Sequence, residues 1–144
     1  MKLILFSLFI IPLFCFSQLE QALMKSGYVK HQNGDYYGAI SDFNTSLELY
    51  PNYSTAIYFF RAASKAKLDD YYGAISDYTK SINGFSSKMS REENAYMDSQ
   101  AYLLRGFLNE RLGKSYMACS DYKKALAQGN KAAIEAIRIC NWII

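Results

Sequence analysis

Three stretches of the chain, 21–33, 56–68 and 101–112, carry apolar residues at three- and four-residue spacing with polar residues between them. That spacing predicts amphipathic helices. Each stretch is followed by a break, at Gly34-Asp35, Asp69-Asp70 and Gly113-Lys114, and the glycines suit the left-handed position after a helix end. A second helix is expected beyond each break, and there the sequence repeats itself. The heptapeptide Tyr-Tyr-Gly-Ala-Ile-Ser-Asp occurs at 36–42 and again at 71–77. A degenerate third copy reads Tyr116-Met117-Ala118-Cys119-Ser120-Asp121. A period of roughly 20–50 residues signals stacked repeats. The pattern predicts an all-α stack of three helix pairs, about 20–53, 55–88 and 99–130.

The third unit arrives late. Ala39 and Ala74 are 35 residues apart, but Ala74 and Ala118 are 44 apart, so about ten residues are inserted through Ser86–Asn94. Ser90 followed by Glu93 reads as a capping box, and no Gly or Pro intervenes before Gly106. One long helix from about Arg91 to Leu112 is expected, two to three turns longer than its counterparts, with Tyr96 and Met97 exposed on the overhang. The alternative over 86–98 is a disordered loop. Beyond the third unit, Ala133, Ile134, Ile137 and Cys140 give 131–142 the pattern of one helix covering the open end, which a stack needs for solubility. Trp142-Ile143-Ile144 is an apolar tail, expected to pack back on that cap.

These units resemble the tetratricopeptide repeat, a 34-residue helix-turn-helix. The family's small positions read Gly27, Ala39 and Ser46 in the first unit, Ala62, Ala74 and Ser81 in the second, and Gly106, Ala118 and Ala125 in the third. All nine are Gly, Ala or Ser, as close helix crossings require. The large positions agree: Leu23, Tyr58 and Tyr102 in the first helices, Phe43, Tyr78 and Tyr122 in the second. Pro51 closes the first unit as the family expects, whereas the others end at Asn83-Gly84 and Gly129-Asn130. The resemblance implies an α-solenoid of three helix pairs plus a C-terminal capping helix, within 18–144.

At the N-terminus, Met1-Lys2 is a short positive region followed by an apolar run from Leu3 to Phe16, broken only by Ser7 and Pro12. The run falls short of the roughly 20 residues a spanning helix needs. Cys15-Phe16-Ser17 places small residues at −3 and −1 before Gln18. The expectation is a secretory signal, 1–17, removed on export to a periplasm or outside the cell. An uncleaved membrane anchor is the alternative, weakened by the shortness of the run and by Pro12. Lipidation at Cys15 is weakened by Phe14, where a small residue is expected.

Composition narrows the class. Hydrophobic residues make up 51% and charged residues 20%, with 8 Gly and 2 Pro in 144 residues, which excludes a disordered or low-complexity chain. A net charge of +3 is too weak for a nucleic-acid footprint. His31 is the only imidazole, and no Ser or Asp is placed to make a triad with it. Two Cys and one distant His do not make a zinc site. Gly34, Gly73 and Gly113 are isolated turn or packing residues, not a phosphate loop. Asp69-Asp70 and Glu92-Glu93 fall at helix starts, where negative charge favours the dipole. No enzyme chemistry, cofactor or metal is expected.

With Cys15 in the leader, Cys119 and Cys140 remain, each about ten residues from the turn near Gly129-Asn130. Equal distances from a helical hairpin put residues at the same height, so a disulfide is expected if the Cα atoms come within about 7 Å. The competing expectation is two buried thiols.

In tetratricopeptide stacks the first helix of each repeat lines a concave, peptide-binding face. The resemblance carries that face onto Met24, Tyr28, His31 and Gln32, then Phe59, Ala63, Ala66 and Lys67, then Leu103, Phe107, Glu110 and Arg111. The family's clamp for a C-terminal carboxylate uses Lys, Asn and Arg; the matching positions here are Met24, Tyr28, Phe60, Gln100 and Leu104, so the clamp is absent. The implied partner is a protein or peptide with an apolar segment. The alternative is a structural subunit that self-associates through the overhang and the Trp142 tail.

Overall fold

The computed structural model describes residues 22–51, 54–84 and 89–140. The expected leader, the Trp142 tail and residues 86–88 of the insert lie outside the described residues. Seven helices are described: α1 over 22–32, α2 (Tyr36–Leu49), α3 (Ser54–Lys67), α4 (Tyr71–Asn83), α5 (Arg91–Arg111), α6 (Ser115–Ala127) and α7 (Ala133–Cys140). They form three pairs: α3/α4 and α5/α6, and α1/α2, where Ser26 and Lys30 meet Asp42 and Gly27 meets Phe43. Helix α7 packs on α6.

Local chemistry sets the breaks. Gly34 and Gly113 take φ of 83° and 71° after α1 and α5, and Asp69 takes φ 59° at the same place after α3. Asp35 and Asp70 then cap α2 and α4, accepting from the Gly38 and Gly73 amides at 2.9 Å. The insert does become helix: Ser90 and Glu93 close a capping box, and α5 runs 21 residues against 14 for α3. Tyr96 on its first turns is exposed, while Met97 is half-buried.

All nine small positions are buried, and their size is required. A Cβ on Gly27 would stand 2.7 Å from the Phe43 ring, and one on Gly106 would stand 2.5 Å from the Tyr122 ring. Phe43, Tyr78 and Tyr122 fill one cluster per repeat. The second tyrosine of each motif stays outside: Tyr37, Tyr72 and Tyr116 are all strongly exposed. A residue one step along a helix turns by about 100°, which takes it off the packed face.

A charged ladder runs along the pairs. Asp77, 1% exposed, accepts from Arg61 Nε and Nη2, both at 2.7 Å, and from Lys65 at 2.8 Å. Asp121, 3% exposed, is held likewise by Arg105 at 2.9 and 2.7 Å and by Asn109 at 3.4 Å. In the first repeat Asp42 accepts from Ser26 and Lys30. Each arginine also reaches back one repeat, Arg61 to Asn44 at 2.6 Å and Arg105 to Thr79 at 2.8 Å. Intra-repeat packing and inter-repeat register therefore share a single guanidinium. Tyr58 carries the Arg61 and Lys80 cations over its ring, and Tyr102 carries those of Arg105 and Lys124.

The capping helix α7 closes the end, but it begins at Ala133 rather than 131, and Ile134, expected on its packed face, is 47% exposed. Ala133, Ala136 and Cys140 of α7 bury against Ala118, Tyr122 and Ala125, and Cys119 and Cys140 form a disulfide with Cα atoms 5.7 Å apart.

Candidate functional site

The first helices α1, α3 and α5 carry the groove positions, and α3 also meets α5 directly. Met24 packs onto the cluster of Ala39, Phe43 and Ile57, with Phe60 beside it. Tyr28, 43% exposed, sets its ring edge-on to Phe60 at 5.3 Å between centroids. Phe60 stands edge-on to Phe59 at 5.5 Å, and Phe59 edge-on to Tyr78 at the same distance. These contacts join α1, α3 and α4 into one aromatic ridge. Its inner members rest on the core, and Tyr28 remains available at the surface.

Polar groups gather at the other end of these helices. Ser64 Oγ lies 2.9 Å from His31 Nδ1 and 3.1 Å from the Phe60 carbonyl oxygen, which ties α1 to α3. Burial, followed by the charge of Lys67, holds the imidazole pKa below its ordinary value. His31 is therefore a tethered side chain whose charged form is disfavoured. Gln32 and Lys67 are exposed, and Ala63 is half-buried between the two ends.

The third repeat contributes less open surface than its positions suggest. Leu103 is buried with Ala118, Tyr122 and Ala133, since α7 covers it. Phe107, 43% exposed, stands edge-on to Tyr122 at 5.4 Å. Glu110 accepts the Tyr122 hydroxyl proton. Arg111 donates to the Tyr71 hydroxyl and lies over that ring at 5.5 Å. The structure thus joins Met24, Tyr28 and Phe59 with Phe60, and joins His31 with Ser64, while Glu110 and Arg111 are engaged with second helices. At the clamp positions, Phe60 and Leu104 pack on the core and Gln100 is half-buried. Among the described residues no three His, Cys, Asp or Glu side chains gather as a metal site would.

The ladder of Asp42, Asp77 and Asp121 was not legible as a site from helix periodicity. Its signal was present in the repeat, because each aspartate ends a copy of the motif sixteen residues after Ser26, Arg61 or Arg105.

Residues 20–53 match the family model of the tetratricopeptide repeat. Solved structures agree along nearly the whole chain. The first such domain of Spaghetti (RPAP3), bound to the HSP90 peptide SRMEEVD, is 23% identical, with 88% of this chain and 94% of that one covered and a TM-score of 0.72. The Arabidopsis OM64 domain is 22% identical, with 88% and 98% covered and a TM-score of 0.72. The N-terminal domain of stress-induced protein-1 from C. elegans is 13% identical, with 85% and 94% covered and a TM-score of 0.73. No curated protein matches the chain in sequence. The fold is a tetratricopeptide-repeat solenoid.

Proposed function

We propose that the protein is an exported, non-catalytic interaction module whose concave groove takes an apolar peptide or amphipathic helix of a partner protein. The observation that carries this reading is the aromatic ridge of Tyr28, Phe60 and Phe59, in which Tyr28 and Phe60 hold two positions that the resemblance matches to the family's cationic carboxylate clamp. An apolar ligand face gains roughly 25 cal/mol per Å² against such a ridge, whereas a carboxylate there would lose water without gaining a charged partner. The solenoid of Spaghetti holds an HSP90 peptide, which supports a peptide as the class of ligand. The Cys119–Cys140 bond favours an oxidising compartment, in line with export.

Affinity capture from envelope extract, with wild type and with Tyr28→Asp plus Phe107→Asp, tests the groove. Both side chains are 43% exposed, so the fold tolerates the change. The captured partner is lost with the variant; capture indifferent to both substitutions sinks the groove reading. Sequencing the exported protein from Gln18 onward checks the leader. A second reading rests on Tyr96, 65% exposed on the overhang of α5. Under it, light scattering finds a concentration-dependent dimer that Tyr96→Ser abolishes.

A further inference from the structure

A cavity of about 380 Å³ opens between α4 and α6, the second helices of their repeats, with the Arg105–Asp121 pair on its wall. Around it the third repeat departs from the pattern of the other two. At the preceding junction Ile40, Arg61, Tyr72, Asp77 and Lys80 stand at the same repeat positions as Ile75, Arg105, Tyr116, Asp121 and Lys124. Four of the lining positions differ: Asp70 becomes Lys114, Gly73 becomes Met117, Lys65 becomes Asn109, and Asn44 becomes Thr79.

The first two substitutions form a linked pair. Asp35 and Asp70 cap their helices through the Gly38 and Gly73 amides, and a Cβ at either glycine would collide with the capping carboxylate. In the third repeat both members change together. Lys114 makes no side-chain cap bond, and Met117 is 56% exposed. A cation at a helix N-terminus opposes the helix dipole, so capping of α6 does not account for the exchange. Lys114 places its ammonium 4.7 Å from the Tyr72 ring centroid, and Lys124 places its own 5.4 Å from that of Tyr102. Among the described residues neither ammonium meets a carboxylate. Tyr116, 88% exposed, is kept while the half-buried first tyrosine of the motif has become Ser115.

We propose that this cavity binds an acidic segment of a partner protein. Its carboxylates lie against Lys114 and Lys124, and an apolar neighbour packs on Ile75, Tyr116 and Met117. Two ammonium groups that meet no carboxylate among the described residues, beside the exposed Tyr116 and Met117, complement alternating acidic and apolar residues better than they complement a lone ion. The site is separate from the concave groove and does not depend on it.

The test uses ¹⁵N-labelled protein purified after expression of the full chain, titrated with the blocked peptide Glu-Leu-Asp-Glu-Leu-Glu. The blocked peptide Gln-Leu-Asn-Gln-Leu-Gln is the control. Amide shifts centre on 114–124, and the acidic peptide binds roughly tenfold or more tighter than the control. Lys114→Asp with Met117→Gly rebuilds the cap of the first two repeats, so it keeps the fold while weakening binding roughly tenfold or more. Tyr28→Asp with Phe107→Asp leaves this binding intact, which separates the site from the groove. Equal binding of the control, shifts centred elsewhere, or indifference to the rebuilt cap overturns the proposal. Tighter binding of polygalacturonate at the same amides overturns the peptide assignment in favour of an acidic glycan.

Discussion

Arg105→Met and Arg61→Met look equivalent by repeat position, yet the structure makes them unequal. Both arginines hold a buried aspartate bidentately and both reach back to the preceding repeat. Without Arg105, Asp121 keeps only Asn109 at 3.4 Å, and a carboxylate 3% exposed is left without a cation. Breaking a buried pair in that way costs about 3–5 kcal/mol. Without Arg61, Asp77 still has Lys65 at 2.8 Å, so the loss is closer to that of charge-assisted hydrogen bonds, about 1.5–3 kcal/mol. Replacing both partners, Arg105→Met with Asp121→Leu, removes the stranded charge and returns stability to within about 1 kcal/mol of wild type. Urea unfolding followed by far-UV circular dichroism reads all of this. With an m-value of roughly 1.5 kcal/mol per M, Arg105→Met lowers the midpoint by about 2–3 M and Arg61→Met by about 1–2 M. Equal losses at the two sites, or a double variant as unstable as Arg105→Met alone, would refute the argument from charge burial.

Reducing the Cys119–Cys140 bond opens a loop with a sequence separation of 21 and costs about 3 kcal/mol, which a thermal melt with and without reductant shows as a drop of roughly 10 °C; unchanged melting contradicts it. Gly106→Ala puts a methyl group against the buried Tyr122 ring, so denaturant unfolding shows a loss of about 1–3 kcal/mol despite alanine's better helix propensity. Burial pushes the Asp98 carboxyl up to about 6, above its ordinary 3.8, and its Oδ1 has no hydrogen-bond partner among the described residues. The folded state thus holds that proton more tightly than the unfolded chain. Its destabilising charge is fully present above pH 6 and relieved as pH falls toward 4. Asp98→Asn raises the melting temperature at pH 7.5 and changes it little at pH 4; the reverse order refutes the assignment. Asp77 acts in the opposite sense. Burial raises its pKa, but the bonds from Arg61 and Lys65 outweigh that and hold it below the ordinary value, so its contribution is present above pH 4 and lost on further acidification. A pH titration of stability shows a smaller acid loss in Asp77→Asn than in wild type. The remainder includes that of Asp42, whose pKa burial raises but the bonds from Lys30 and Ser26 bring below its ordinary value.

Much of this was legible in advance for a physical reason. Gly27, Ala62 and Gly106 are small because a helix crossing leaves no room, and the same constraint recurs in every repeat. Gly34 and Gly113 mark turns because positive φ excludes most side chains. Ser90 and Glu93 announce α5 because a capping box is made within four residues. Even Cys119 and Cys140 could be paired by counting from the turn between two antiparallel helices. The groove was less legible. Its positions came from resemblance, and periodicity cannot tell an exposed Phe107 from a covered Leu103.

The sequence by itself determined the helices, their breaks, the repeat and the crossing points, all of which depend on neighbours within a turn or on a period written into the chain. Only the tertiary structure decided which charges meet, which first-helix side chains remain open, and which tyrosines stay in water. Arg61 finds Asn44 and Asp77 on two different helices, and Arg105 finds Thr79 and Asp121 likewise. Such meetings depend on the rotation and spacing of packed helices, which no local pattern encodes. The same packing puts Lys114 and Lys124 beside one cavity and α7 over Leu103.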